Sequence, residues 1–452
     1  MNRGNFNVEN EMYYSDLWIK LCKKSREVIL DNHKIKEYNK ENLKKLYTND
    51  IFNVKDKMNR NEIIDIINKI SIIPKVDRYK EGNLITKEYY DKLSANLNLE
   101  GLEEEISLGY GILVKRGELR TFPSSDRVFK NHKDYDLDRF METAVYPAEP
   151  CIIYATSKDG NWYFCKIYNY CGWINRENIA IGSKDEIMNY CNCEDFIVVI
   201  GKKINFGYNP WIKDLQELYI DMGVKLPIEK QWDRERLVHD MYSEGNYVVK
   251  YPQRDCEGKL KFINLLVPFN EQVHEGYLKC TRGNILKQIF KFQGERYGWG
   301  GEFQSRDCSS LIIDTFRCFG INLPRNSGDQ LRHSVGKSVI FDEEVSYDEK
   351  IKILENLKPG ALIFLDGHVC MFIGKCKEGL FIIHDTIGVY VDNNIKENFM
   401  ERDQKYGDGD NLSSDKIYLN IKGVTISNLK GIYTSNGNSY IDSIIGVKDI
   451  LI

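Results

Sequence analysis

Cys308 stands just before the apolar stretch Leu311-Ile312-Ile313-Asp314-Thr315-Phe316, and two histidines follow it. His368 opens a β-rich run within Gly367-His368-Val369, and His384 comes directly after Leu380-Phe381-Ile382-Ile383. A thiol at the mouth of a helix, joined by two imidazoles arriving on strands, can assemble a covalent nucleophile. Sulfur attacks as thiolate, and a helix N-terminus favours that form through its partial positive charge. His368 is placed to act as general base and later as acid. His384 can accept a hydrogen bond from the other ring nitrogen of His368 and so fix its tautomer. Taken singly these signals are common. A Cys before an apolar helix is usually a small core residue, and a strand His is usually structural. The approach Tyr297-Gly298-Trp299-Gly300-Gly301 and the core Asp307-Cys308-Ser309 tip the reading towards chemistry.

The elements that must hold these residues have their own signatures. Ile285, Ile289 and Phe292 share one face and predict a helix over 284–292, and the helix behind Cys308 is expected to stop near Gly320. Runs at 361–365, 369–373 and 380–383 predict strands, so the chain from about 281 reads as α+β. Upstream, 1–105 reads as helical. Ile63, Ile66, Ile67 and Ile70 repeat at i, i+3, i+4 and i+7, with Asn59 and Glu62 as a capping box before them. Such helices are expected to pack or clamp rather than to do chemistry. From about 106 short β-rich runs separated by turns predict a small barrel. Strands at 196–200, 247–249 and 259–262 predict a second barrel-like module before 280.

With 452 residues, the chain is too long for one ordinary core and implies several domains. A net charge of −4 gives no basic footprint, which argues against nucleic acid as a partner. No apolar run approaches the ~20 residues that span a bilayer. Met1-Asn2-Arg3-Gly4-Asn5-Phe6 lacks the pattern of a secretory signal, so a cytoplasmic setting is expected, or a wall-associated one if a leader was removed. Twelve scattered cysteines do not make a disulfide framework. The pairs Cys191/Cys193 and Cys165/Cys171 lack zinc-ligand spacing and read as structural. No metal or organic cofactor is expected, and a monomer is.

Residues 281–400 resemble the NlpC/P60 family of papain-like cell-wall cysteine peptidases. The resemblance rests on Tyr297-Gly298-Trp299-Gly300-Gly301, Asp307-Cys308-Ser309, Leu323-Pro324-Arg325-Asn326-Ser327 with Gln330, and Lys358-Pro359-Gly360 before Gly367-His368-Val369. It implies Cys308 as nucleophile, His368 as base, His384 as orienter and Tyr297 as an aid to the oxyanion hole. Trp299 is expected to pack under the nucleophile helix. Asp307 and Ser309, with Asn326 and Ser327, would line the substrate pocket. Upstream, Gly117–Pro123, Ser157-x-Asp159-Gly160-x-Trp162 and Tyr170-Cys171-Gly172-Trp173 resemble a bacterial SH3 (SH3b) module found fused to such peptidases. In that arrangement Glu149 and Tyr170 would bind the free amine of an L-Ala. The chain departs from the pattern twice. Asn326 stands where amine-selective relatives carry Asp, which removes a charge for an α-ammonium, and Ala361 stands where Asp usually follows Pro-Gly.

The expected architecture is therefore multidomain: an N-terminal helical clamp region (1–105), a first SH3b domain (106–182), a second SH3b-like domain (183–280) and an α+β NlpC/P60 peptidase domain (281–452). The expected activity is hydrolysis of the γ-D-glutamyl-diamino acid bond of peptidoglycan stem peptides, on small muropeptides in recycling or turnover. The rival readings are an amidase or acyltransferase on the same scaffold, and a non-catalytic SH3b protein that binds cell wall.

Overall fold

The computed structural model describes residues 10–392 and 416–451, the side chain of Asp214 excepted; the Met1–Phe6 reading lies outside them. The described chain falls into two compact units. The first takes the residues up to Tyr47, Leu278–Gly298 and everything from Phe303. The second takes Thr48–Tyr277 and Trp299–Glu302. The helical segment expected over 1–105 contributes to both.

The first unit is built on a six-stranded antiparallel sheet. Its order is Lys337–Ile340, Ile444–Asp449, Leu362–Leu365, His368–Cys376, Gly379–Asp392 and Lys416–Asn428. The last strand in sequence thus inserts between two earlier ones. Helix Cys308–Arg317 packs on the strands His368–Cys376 and Gly379–Asp392. It buries Leu311, Ile312, Ile313 and Phe316, each 4% exposed or less, and each such side chain is worth about 1.5–3 kcal/mol. Elsewhere Cys370, Phe372, Ile382 and Val447 join Leu354, Leu429, Tyr440 and Ile441 in one cluster. Because apolar layers cover the central strands, these read in sequence as nearly continuous hydrophobic runs. The helix stops as expected, with Gly320 in the left-handed region at φ 76°.

The N-terminal elements of this unit are a strap on that sheet. Trp18, in helix Ser15–Leu21, is fully buried, its ring centroid 5.2 Å from that of Phe381. Gly374 makes the close approach possible, since a Cβ there would meet the Trp18 ring at 3.0 Å. Val28–Leu30 pairs with Cys280–Thr281. From helix Asn32–Lys44, Asn39 Nδ2 donates to the Gly320 carbonyl at 2.7 Å, and buried Asn42 accepts from the Val335 N–H at 2.9 Å.

In the second unit, helix Arg60–Ile70 starts at the capping box read from sequence: Asn59 caps it and Glu62 reaches back to the Asn59 N–H at 3.0 Å. Ile63 and Ile67 join Tyr90 and Leu93 of helix Lys87–Asn96 in a core shared with Ile112, Phe164 and Trp173 of a seven-stranded antiparallel sheet. The sheet corrects the expectation of a closed barrel. Its end strands, Ile179–Gly182 and Met141–Val145, each pair on one side only. No ladder joins Ile179–Gly182 to Met141–Val145, so the sheet stays open. The second expected barrel is corrected too. Residues 196–275 form a three-stranded sheet, a short pair and the hairpin Asn246–Arg254/Leu260–Pro268, which are distinct ladders joined only by single bridges such as Ile228–Val249 and share one apolar cluster. Irregular chain at 206–212 and 230–237 interrupts the pairing. Among the described residues no helix is long and apolar enough to cross a membrane.

Candidate active site

Asp307 fixes where the nucleophile helix begins. Its carboxylate accepts from the Ser310 N–H at 2.9 Å, while Ser310 Oγ accepts from the Asp307 N–H at 2.8 Å. This reciprocal cap satisfies first-turn donors that have no partner within the helix, and it leaves Cys308 as the first helical residue, 7% exposed. Arg325 locks the cap from outside: its Nη2 reaches Asp307 Oδ2 at 2.6 Å and its Nη1 reaches Ser309 Oγ at 2.7 Å. Asp307 and Ser309, expected to line a substrate pocket, are thus both buried and held by Arg325. Gln330 Nε2 tightens the same corner by donating to the carbonyls of Ser309 and Pro324.

Strand His368–Cys376 begins at the thiol, where the Val369 backbone N–H bonds the sulfur. His368 Nε2 lies 3.1 Å from His384 Nδ1, and His384 Nε2 lies 3.0 Å from Ser427 Oγ. His384 and Ser427 are fully buried. For His368 to act as base through Nδ1, its Nε2 must carry the proton and donate to His384. His384 then holds its own proton on Nε2, where the Ser427 hydroxyl accepts it. Every atom in this chain of contacts has one consistent role. Tyr440 stands edge-on to both rings, at 6.3 and 5.9 Å between centroids. Neither Ser427 nor Tyr440 was singled out from the sequence; each comes from the last 37 residues, with no local motif to mark it.

The electrostatics reverse one expectation. A helix N-terminus lowers a thiol, yet burial pushes Cys308 up to about 12, and the Asp307 carboxylate adds to the rise. Burial also takes His368 down to about 4, against a small opposing pull from Asp307. The resting pair is therefore neutral thiol and neutral imidazole, because burial disfavours both charges. Tyr297, half-buried, is pushed up by burial and then by the nearby sulfur, so its phenol keeps its proton.

A second buried polar group lies behind the helix. Arg306 is fully buried, with Nε on Asp314 and Nη1 on Glu295, both at 2.6 Å, and its guanidinium stacks over Phe292. Asp385 is also fully buried, and neither of its carboxyl oxygens has a hydrogen-bond partner. Burial, then repulsion from Asp307 and Glu295, raises its carboxyl well above the ordinary range despite Arg306.

The other expected residues lie as follows. Asn326 is exposed and sits at the N-cap position of the short helix Ser327–Arg332 without a side-chain cap bond, its Nδ2 instead 3.2 Å from Asp329; Ser327 is half-buried. Glu149 and Tyr170 belong to the second unit. There the buried Glu149 accepts from the Tyr146 N–H at 2.8 Å, and the Tyr170 hydroxyl donates to Glu142. Trp299, expected under the nucleophile helix, is instead grouped with the second unit, where the Arg139 guanidinium covers its ring at 4.8 Å. Its neighbour Glu302 holds Arg127 at 2.6 Å. The paired glycines Gly300 and Gly301, both at positive φ, let the chain pass close to Met141 and Ala144.

Comparison with known proteins finds two family matches along the chain. Residues 294–406 match the NlpC/P60 family, and residues 127–175 match the SH3 domain of SH3b1 type. Among solved structures, an NlpC/P60 endopeptidase from Photobacterium damselae subsp. piscicida superposes with a TM-score of 0.71 at 17% identity, over 97% of this chain and 96% of that one. At that identity the likeness is one of fold. An NlpC/P60 family protein from Bacillus cereus ATCC 10987 matches at 18% identity with a TM-score of 0.48, over 76% of this chain and 100% of that one. No curated protein matches in sequence.

Proposed function

Starting from a chain that carries an NlpC/P60 domain and an SH3b domain, we propose a cysteine peptidase that cuts peptidoglycan stem peptides at the γ-D-glutamyl-diamino acid bond. The supporting observation is the contact series from the thiol through the start of the His368 strand to His384 and Ser427. In this reading His368 Nδ1 takes the Cys308 proton as the sulfur attacks the amide carbon. The Cys308 N–H and the Tyr297 hydroxyl receive the developing oxyanion. His368 then protonates the leaving amine, and water attacks the thioester with His368 again as base. His384 supports the imidazolium that forms twice in the cycle, and Ser427 holds His384.

Within the first unit, substrate selection is assigned to Asn326 and Ser327, beside the Asp307–Ser309 corner. A neutral Asn326 removes one attraction for an α-ammonium, so we propose that stem peptides with a blocked amine are also accepted. The reading places the enzyme in the cytoplasm as a monomer acting on small muropeptides. The test is mass spectrometry after incubation with L-Ala-γ-D-Glu-diaminopimelate. The expected products are L-Ala-D-Glu and diaminopimelate. Release of the intact tripeptide from its muramoyl conjugate, or acyl transfer to an added amine without hydrolysis, would favour the amidase or acyltransferase reading. An unchanged peptide would favour a wall-binding protein.

A further inference from the structure

Cys370 lies two residues beyond His368 on the same strand, hence on the same face, and it is fully buried. One ring nitrogen each from His368 and His384 and the Cys370 thiol all lie within 4.8 Å of one another. Two imidazoles and a thiol are the donor set of a tetrahedral zinc site, in which donors sit about 2.0–2.3 Å from the ion. The two facing ring nitrogens are 3.1 Å apart, already close to the spacing that such bonds impose. His368 is the least buried of the three.

We propose that His368, Cys370 and His384 bind a thiolate-preferring divalent cation of the zinc type, and that this binding switches the peptidase off. The consequence for hydrolysis rests on the function proposed above; the binding itself does not. The Cys370 proton leaves to solvent as the thiolate ligates. His368 gives up its Nε2 proton in favour of Nδ1, since Nε2 now carries the ion. The imidazole stays neutral overall, but its Nδ1 holds a proton and cannot accept one from Cys308. The hydrogen bond to His384 is replaced by two bonds to the metal, and Ser427 continues to orient His384 from its other nitrogen.

The test uses Co2+ as a spectroscopic probe on the full chain carrying Cys308→Ser, so that the nucleophile cannot supply the sulfur. The expected result is one equivalent of Co2+ with a near-ultraviolet sulfur-to-cobalt charge-transfer band, displaced by Zn2+. The band is lost in Cys308→Ser/Cys370→Ala, or in Cys308→Ser/Cys370→Val if the smaller residue prevents folding. In parallel, Zn2+ should inhibit the Cys370→Ala single variant at least about tenfold more weakly than the parent. A band absent from Cys308→Ser, or one that survives the loss of Cys370, overturns the proposal. The cobalt result stands whether or not stem peptides are cleaved, so it separates failure of this inference from failure of the functional reading.

Discussion

At the Cys308 sulfur, burial and the Asp307 carboxylate hold the proton on, while burial strips His368 of its own. The base is therefore ready across neutral pH and is lost only when His368 protonates. The expected kcat/KM profile rises through about pH 4 and stays level through neutrality, because the folded-state value is depressed and the charged imidazole forms only below it. An acid limb near the ordinary ~6.5 of histidine would contradict this. For the same reason Cys308 should alkylate with iodoacetamide no faster than a free thiol at pH 7. Replacement of His384 by Ala removes the group that fixes the His368 tautomer and should lower kcat by about 10²–10⁴ with KM little changed. Ser427→Ala, which leaves that hydrogen bond in place, should cost less.

At the scale of elements, the nucleophile helix depends on a buried ion pair and tolerates a buried acid. Arg325→Met leaves the Asp307 carboxylate without its guanidinium and should destabilise the protein by about 3–5 kcal/mol in denaturant melts. Asp385 behaves in the opposite sense. Its folded-state value lies above the unfolded ~3.9, so the folded chain holds the proton longer and stability falls as pH rises from there. Asp385→Asn removes that penalty, and its melting temperature relative to the parent should climb between pH 4 and pH 8. A constant difference would show that Asp385 does not titrate in that window. Much of this scale was legible in sequence. The Asn59–Glu62 cap, the stop at Gly320 and the strands around His368 and His384 follow from local spacing and propensity. The ion pairs Arg325–Asp307, Arg306–Glu295 and Arg306–Asp314 were not, because charged residues read as surface until packing buries them. Ser427 was invisible for a related reason: a lone Ser in a strand carries no signal until its neighbour strand supplies a histidine. The closed barrels failed because turn spacing predicts short strands without saying whether the first and last will meet.

For the molecule as a whole, the first unit is discontinuous in sequence: its strap comes from the residues before Thr48, and its sheet and nucleophile helix from those after Tyr277. The family match over 294–406 thus marks a stretch that lacks parts of its own fold. Trp18→Ala should cost about 3–5 kcal/mol, the usual range for emptying a buried aromatic site. A chain beginning at Thr48 should lose more, exposing the Trp18 site against Gly374 and Phe381 and the carbonyls of Gly320 and Asn322 that Asn39 and Asn42 cap. Limited proteolysis should then cut the segment after Leu278 while leaving 48–277 protected. Equal resistance in the full and shortened chains would show that the strap is dispensable.

The most direct test of the central claim is capture of the acyl-enzyme. Acid quench during turnover of L-Ala-γ-D-Glu-diaminopimelate, followed by peptide mapping, should find the L-Ala-D-Glu acyl group on the peptide that contains Cys308, and neither adduct nor products in Cys308→Ala. Acylation at another residue, or undiminished turnover in Cys308→Ala, would contradict it.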